Sequence, residues 1–181
     1  MEVLHQEFYG NSILNWAIAV GILILSFVVV KMLYWIFSNV IRRLTSKTKT
    51  NLDDVLIDKL EKPLTYLVLI LGYWISIHYL VFKEDVELVL ENVAYFLLVI
   101  DFTAIISRIV DALITEIIMP ISEKSDSSFD NQLIPVIQKG VRSIIWILGI
   151  IIGLDNIGFD ITAMIAGLGI GGLALALAAQ D

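Results

Sequence analysis

The chain has 181 residues, 58% of them hydrophobic, with a mean hydropathy of +0.86, a formal net charge of −7 and no cysteine. Several apolar runs of about twenty residues exclude a soluble globular core and give an all-α, polytopic membrane protein with membrane lipids around it. The acidic balance excludes a basic nucleic-acid interface, so no nucleic acid is expected as a partner, and the lack of cysteine excludes disulfides and thiol chemistry.

Five transmembrane helices are expected. Residues Met1 to Ser12 are polar and aromatic, contain neither Lys nor Arg, and read as an outer lip. They form no signal peptide, because no basic stretch precedes the apolar run. The first span covers about 13–37. Trp16 lies near one end, and Lys31, Tyr34 and Trp35 near the other, where interfacial anchors and a snorkelling lysine belong.

From Ser38 to Lys62 the chain carries Arg42, Arg43, Lys47, Lys49, Lys59 and Lys62, half of its 12 basic residues, which places this loop in the cytoplasm. The second span covers about 63–82, with Pro63 in its first turn, where the missing N–H costs nothing. Lys83, Glu84, Asp85 and Glu87 make a short outer return. The third element covers about 86–119 and is stopped by Pro120. Along it Asp101, Arg108, Asp111 and Thr115 recur at helical spacing and form one polar stripe. An acid such as Asp101 inside a span is a candidate proton or ion site. The structural alternative is an acid facing a neighbouring helix, or linked to Arg108 two turns away, too far for direct contact. It is preferred, since no second membrane carboxylate accompanies Asp101.

Glu123 to Asn131 is a polar inner connection, followed by Lys139 and Arg142. The fourth span covers about 141–154, after an amphipathic approach from Leu133 to Lys139 interrupted by Pro135. Asp155 to Asp160 is a tight outer turn, and the fifth span covers about 161–181. This count puts the N-terminus outside and the C-terminus in the cytoplasm. His5 and His78 lie far apart at membrane edges, so neither a metal site nor a cofactor is expected. A faint repeat relates Asn51–Ile57 to Ser128–Ile134; it fits either a duplicated helical hairpin or two similar cytoplasmic turns.

The fifth span is built for close packing. On a helical wheel Leu173 and Leu177 share a face with Ala166, Ile170 and Gln180. One flank of that face carries Gly167, Gly171, Ala174 and Ala178; the other carries Gly169, Gly172, Ala176 and Ala179. Small residues let helix backbones approach in lipid, where packing drives association. Two such flanks allow each copy to contact a neighbour on either side, which closes a ring with the leucines at its centre; packing within the chain's own bundle is the plainer alternative. Gly167, Gly169 and Gly172 also spell GxGxxG, but no strand precedes them and no acid follows about twenty residues on, so a dinucleotide loop is rejected.

The run from Phe129 to Asp181 resembles the MscS family, the mechanosensitive channels of small conductance. The resemblance rests on FDN at Phe129–Asn131, LDNIGFDITA at Leu154–Ala163 and AGLGIGGLALALAAQD at Ala166–Asp181. It divides the chain into a core segment, 129–181, and N-terminal membrane helices, 1–128, of which the first two spans match no shared core. It implies a homo-heptamer in the bacterial inner membrane, opened by tension to release ions and small osmolytes on hypo-osmotic shock. Leu173 and Leu177 match the family's pore-closing leucine rings, and the Gly and Ala flanks match its interlocking pore-helix packing. A kink is implied at Gln180 and Asp181, although Asp181 stands where some members have a hinge glycine; the family's cytoplasmic β domain and vestibule would follow. No catalytic residue is implied, and the sequence has no HExxH, no paired intramembrane acids and no nucleophile–base set. Two other classes stay open: a non-conducting membrane scaffold that oligomerises through the same flanks, and an ion-coupled transporter built around Asp101.

Overall fold

The long apolar runs form helices, and the turn residues between them decide where each one starts. A computed structural model describes residues 6–37, 39, 51–120 and 128–180. The basic residues Arg42, Arg43, Lys47 and Lys49, the connection from Ser122 to Ser127, and Asp181 of the expected kink lie outside the described residues. The chain opens with a two-stranded antiparallel hairpin, β1 (Glu7–Phe8) and β2 (Asn11–Ser12). Tyr9 and Gly10 turn it with φ of 53° and 77°, the paired left-handed conformation of a tight hairpin. Helix α1 spans Ile13–Ile36, and its N-cap Ser12 accepts a hydrogen bond from the Asn15 amide at 3.1 Å.

Helix α2 spans Asn51–His78 and α3 spans Glu84–Leu113, continuing through a π-helical turn at Ile114–Ile118. Glu84, Asp85 and Glu87 occupy the first turn of α3, where they complement the positive end of the helix dipole. Helix α4 spans Ser128–Asn156 and α5 spans Thr162–Ala178. The all-α, multi-pass architecture is as expected, but two boundaries are corrected. Pro63 does not open the second span: it lies inside α2, twelve residues after Asn51. Pro135 likewise does not interrupt the approach to the fourth span, because α4 runs through it from Ser128. Among the described residues four helical stretches, Ile13–Ile36, Val55–His78, Glu84–Ile118 and Leu133–Asn156, are long and apolar enough to cross a membrane. The fifth, α5, is apolar and shorter at 17 residues, which is about 26 Å of helix.

Helix α2 packs between α1 and α3, and α3 packs on α4. The bundle interior is lined by small and polar groups. Ala19, Ser26, Ser76, Ala94, Thr103, Ser107 and Ala112 are buried, while large side chains such as Ile24, Leu25, Phe27, Val89 and Phe102 point outward. That arrangement is the reverse of a soluble core and is the one expected where lipid, not water, surrounds the helices. Close approach depends on three glycines at two crossings: a Cβ on Gly72 would collide with Ser26 of α1, and on α4 one on Gly149 would collide with Thr103 of α3 and one on Gly153 with Phe96 of α3. Across the α1–α2 crossing the Ser76 hydroxyl donates to the Ala19 carbonyl at 2.9 Å, and the Tyr73 hydroxyl donates from α2 to the Leu90 carbonyl of α3 at 3.2 Å.

Candidate functional site

The outer turn delivers α5. Helix α4 ends in a Schellman arrangement: Gly158 adopts φ of 87°, its amide donates to the Asp155 carbonyl at 2.9 Å, and the Phe159 amide donates to the Leu154 carbonyl at 3.0 Å. Asp160 then accepts the Thr162 amide at 2.9 Å and serves the first free donor of α5. The Thr162 side chain, followed by its backbone amide, holds the exposed Asp160 carboxyl below its ordinary range. The stretch expected to be a tight turn is therefore a helix stop followed at once by a helix start.

Helix α5 stands clear of the bundle. None of its residues is buried, and Leu173 and Leu177 are 67% and 70% exposed. Nothing lies within 4 Å of where a Cβ would sit on Gly167, Gly169, Gly171 or Gly172, in contrast to the glycines at the crossings of α1 to α4. A groove of about 1000 Å³ separates α5 from α4. Its walls are Ile144, Ile147 and Ile151 on α4, and Gly167, Gly171 and Ala174 from one small flank, with Gly172, Met164, Leu168 and Leu175 completing it. Leu173, Leu177 and the other flank residues Gly169, Ala176 and Ala179 are not among its walls, so the leucine face turns away from the chain's own bundle. The helix closes with the Ala179 amide on the Leu175 carbonyl and the Gln180 amide on the Leu177 carbonyl, so Gln180 stands just beyond its last turn.

The polar stripe of α3 reaches both of its neighbours. Arg108 donates from Nη1 to the Lys59 carbonyl of α2 at 2.7 Å. Asp111 accepts from Gln138 Nε2 of α4 at 3.2 Å and lies 3.7 Å from Arg142 Nη1. Arg142 is largely exposed, so that ion pair contributes little by itself. Thr115 turns its hydroxyl back to the Asp111 carbonyl at 2.8 Å. Asp101 is 5% exposed, and its Oδ2 has no hydrogen-bond partner among the described residues. Among those residues no group of three His, Asp or Glu side chains could hold a metal ion.

Sequence reasoning missed the clamp at the other end of the bundle. Asn11 is buried, and its side chain exchanges two hydrogen bonds with the backbone of Val81, Nδ2 to the carbonyl at 2.7 Å and Oδ1 from the amide at 2.6 Å. The hairpin is thereby fastened to the turn between α2 and α3, and Trp16 adds a bond from Nε1 to the Phe8 carbonyl at 3.1 Å.

Comparison with known proteins falls on the same helices. A family model described as "Mechanosensitive ion channel, transmembrane helices 2/3" matches residues 139–180, the second part of α4 and all of α5. The small-conductance mechanosensitive channel MscMJ of Methanocaldococcus jannaschii is 32% identical over 98% of this chain and 51% of its own length. Nearly the whole chain is thus similar to proteins of the MscS family. A second relative from the same organism, the large-conductance mechanosensitive channel MscMJLR, is 27% identical over 99% of the chain and 50% of its own length. The MscS family protein YhdY of Bacillus subtilis is 26% identical over 99% of the chain and 48% of its own length. The match to these relatives runs through α1 to α3 as well, and the chain spans about half the length of each. No solved structure matches the chain.

Proposed function

We propose that this chain is the membrane part of an ion channel subunit opened by membrane tension. The observation that carries the proposal is the state of α5: an apolar helix, nowhere buried in its own chain, with two small-residue flanks whose glycines meet nothing. Such a helix is completed by copies of itself. Gly167, Gly171, Ala174 and Ala178 of one subunit fit against Gly169, Gly172, Ala176 and Ala179 of the next, and repetition closes a ring, a heptamer by analogy with the family. Leu173 and Leu177 then face the axis as two apolar rings. A narrow pore so lined cannot hydrogen-bond water, empties of liquid and blocks ions without a plug. Tension favours the state of larger in-plane area, the pore widens and wets, and ions and small osmolytes pass. The N-terminus is outside and the C-terminus in the cytoplasm of the cell membrane, with Gln180 and Asp181 at the bend below the gate.

The test is patch-clamp recording from liposomes under graded suction, with the protein at its natural length. Discrete conductance steps above a tension threshold are expected, and Leu173→Ser should lower that threshold by letting the pore wet sooner. An unchanged threshold in Leu173→Ser would remove Leu173 from the gate. Complete silence would favour an oligomeric scaffold over a channel.

A further inference from the structure

A proline inside a helix leaves one carbonyl, four residues earlier, without its donor. In α2 that proline is the fully buried Pro63, so the carbonyl left without its donor is that of Lys59. The Arg108 guanidinium of α3 donates to that same oxygen at 2.7 Å, from 49 residues away in sequence. Two residues beyond Pro63, the buried Thr65 hydroxyl sits on the Glu61 and Lys62 carbonyls at 2.6 and 2.7 Å, a contact that also favours bending. The turn from Lys59 to Thr65 is therefore the place where α2 bends most readily, a potential hinge, and the helical bond that Pro63 removes is replaced by a donor from a neighbouring helix, as membrane helices require. One turn further along α3, Asp111 meets Gln138 and Arg142 of α4. The same face of α3 thus holds the hinge of α2 and the helix that leads into α5.

We propose that Arg108 is a positioning residue for gating: it clamps the Pro63 hinge of α2 to α3, and this clamp helps set the tension at which the channel opens. The inference rests on the channel reading above. Tension that tilts α2 works against the Arg108 to Lys59 bond, and the load passes to α4 through Asp111. Arg108 does not touch the pore, so its removal changes when the channel opens and not how much current it carries.

The test is a double-mutant cycle, because Pro63→Ala restores the backbone N–H that the Lys59 carbonyl lacks and makes the clamp redundant. Arg108→Leu alone should lower the opening tension, raising open probability at a fixed subthreshold tension about tenfold, the scale of one charge-assisted hydrogen bond. Unit conductance should stay unchanged. In the Pro63→Ala background the same Arg108→Leu change should leave the threshold where Pro63→Ala alone puts it, and Arg108→Lys, which keeps a donor, should restore part of the shift. An Arg108→Leu shift of equal size with and without Pro63 overturns the proposal, as does no shift at all. If Arg108→Leu fails to assemble, assembly recovered by Pro63→Ala supports the clamp and assembly still lost refutes it. If the parent protein carries no current under tension, the channel reading fails. The clamp is then judged by the thermal-melting cycle of the same four proteins in detergent, where it requires the Arg108→Leu loss to vanish when Pro63 is replaced.

Discussion

Replacing Asn11 with Ala removes both bonds that fasten the outer hairpin to the turn at Val81, at 2.7 and 2.6 Å, together with a weaker 3.3 Å bond to the Tyr9 carbonyl. Val81 is 67% exposed, so its freed peptide groups regain water and the loss approaches the net value of the bonds rather than full desolvation. At about 1 kcal/mol for each of the two strong bonds, Asn11→Ala should cost about 2 kcal/mol. For a chain of this size that corresponds to a fall in melting temperature of about 4 to 8 °C. Thermal melting in detergent, followed by tryptophan fluorescence, measures it, because Trp16 is bonded to the hairpin at Phe8 and reports its release. Brief proteolysis should also cut the hairpin sooner in the variant. A melting temperature within about 1 °C of the parent, with unchanged proteolysis, would refute the claim that the Asn11 bonds hold the two segments together.

Two further outcomes follow from other parts of the fold. Gly149→Ala should destabilise the α3–α4 crossing by about 1 to 3 kcal/mol, the range for overpacking, because its Cβ would overlap Thr103. Thr103→Ala should recover only part of that loss in a melting experiment, since the Thr103 Cβ itself lies 2.7 Å from the new atom. At the α4–α5 turn the Asp160 carboxyl is held below its ordinary range by Thr162, so its bond to the Thr162 amide is present at neutral pH. The support it gives is lost only as pH falls through that lowered value. The hydrogen-exchange protection of the Thr162 amide should decline on acidification below the ordinary carboxylate range. Asp160→Asn should remove that pH dependence, and the same decline in the variant would refute the assignment.

The helices were legible in the sequence because apolar length is a local property, and α1 and α3 fall within two residues of their expected starts. The stripe on α3 was legible for the same reason: Asp101, Arg108, Asp111 and Thr115 share a face by spacing alone. What those residues touch was not legible. Pro63 reads as a helix start when only its neighbours in sequence are considered, since an interior proline leaves Lys59 with an orphaned carbonyl. The group that answers it, Arg108, lies 49 residues away. For α4 the apolar count found the second half of the helix and left its amphipathic first turns outside as a separate approach, whereas the helix runs unbroken from Ser128. The hairpin was hidden because its strands have two residues each, too few for an alternating pattern. Its only local signal is Gly10 following Tyr9, and nothing near Asn11 announces a partner in the turn after α2. The two small-residue flanks and the leucine face of α5 could be placed on the wheel from sequence. Only the structure shows that the leucines turn away from α4, while Gly167, Gly171 and Ala174 line the intervening groove.

The bond between Asn11 and Val81 also sets an order of events during synthesis. Its partners are 70 residues apart, so the hairpin is made, and α1 inserted, well before Val81 exists. At roughly 5 to 20 residues per second, the ribosome leaves Asn11 waiting for about 4 to 14 s. Throughout that interval the hairpin is held by local bonds, its own short ladder, the Asn11 bond to the Tyr9 carbonyl and the Trp16 bond. The arrival of α2 ends the wait, and α1 and α2 become one unit when the turn beyond His78 closes on Asn11.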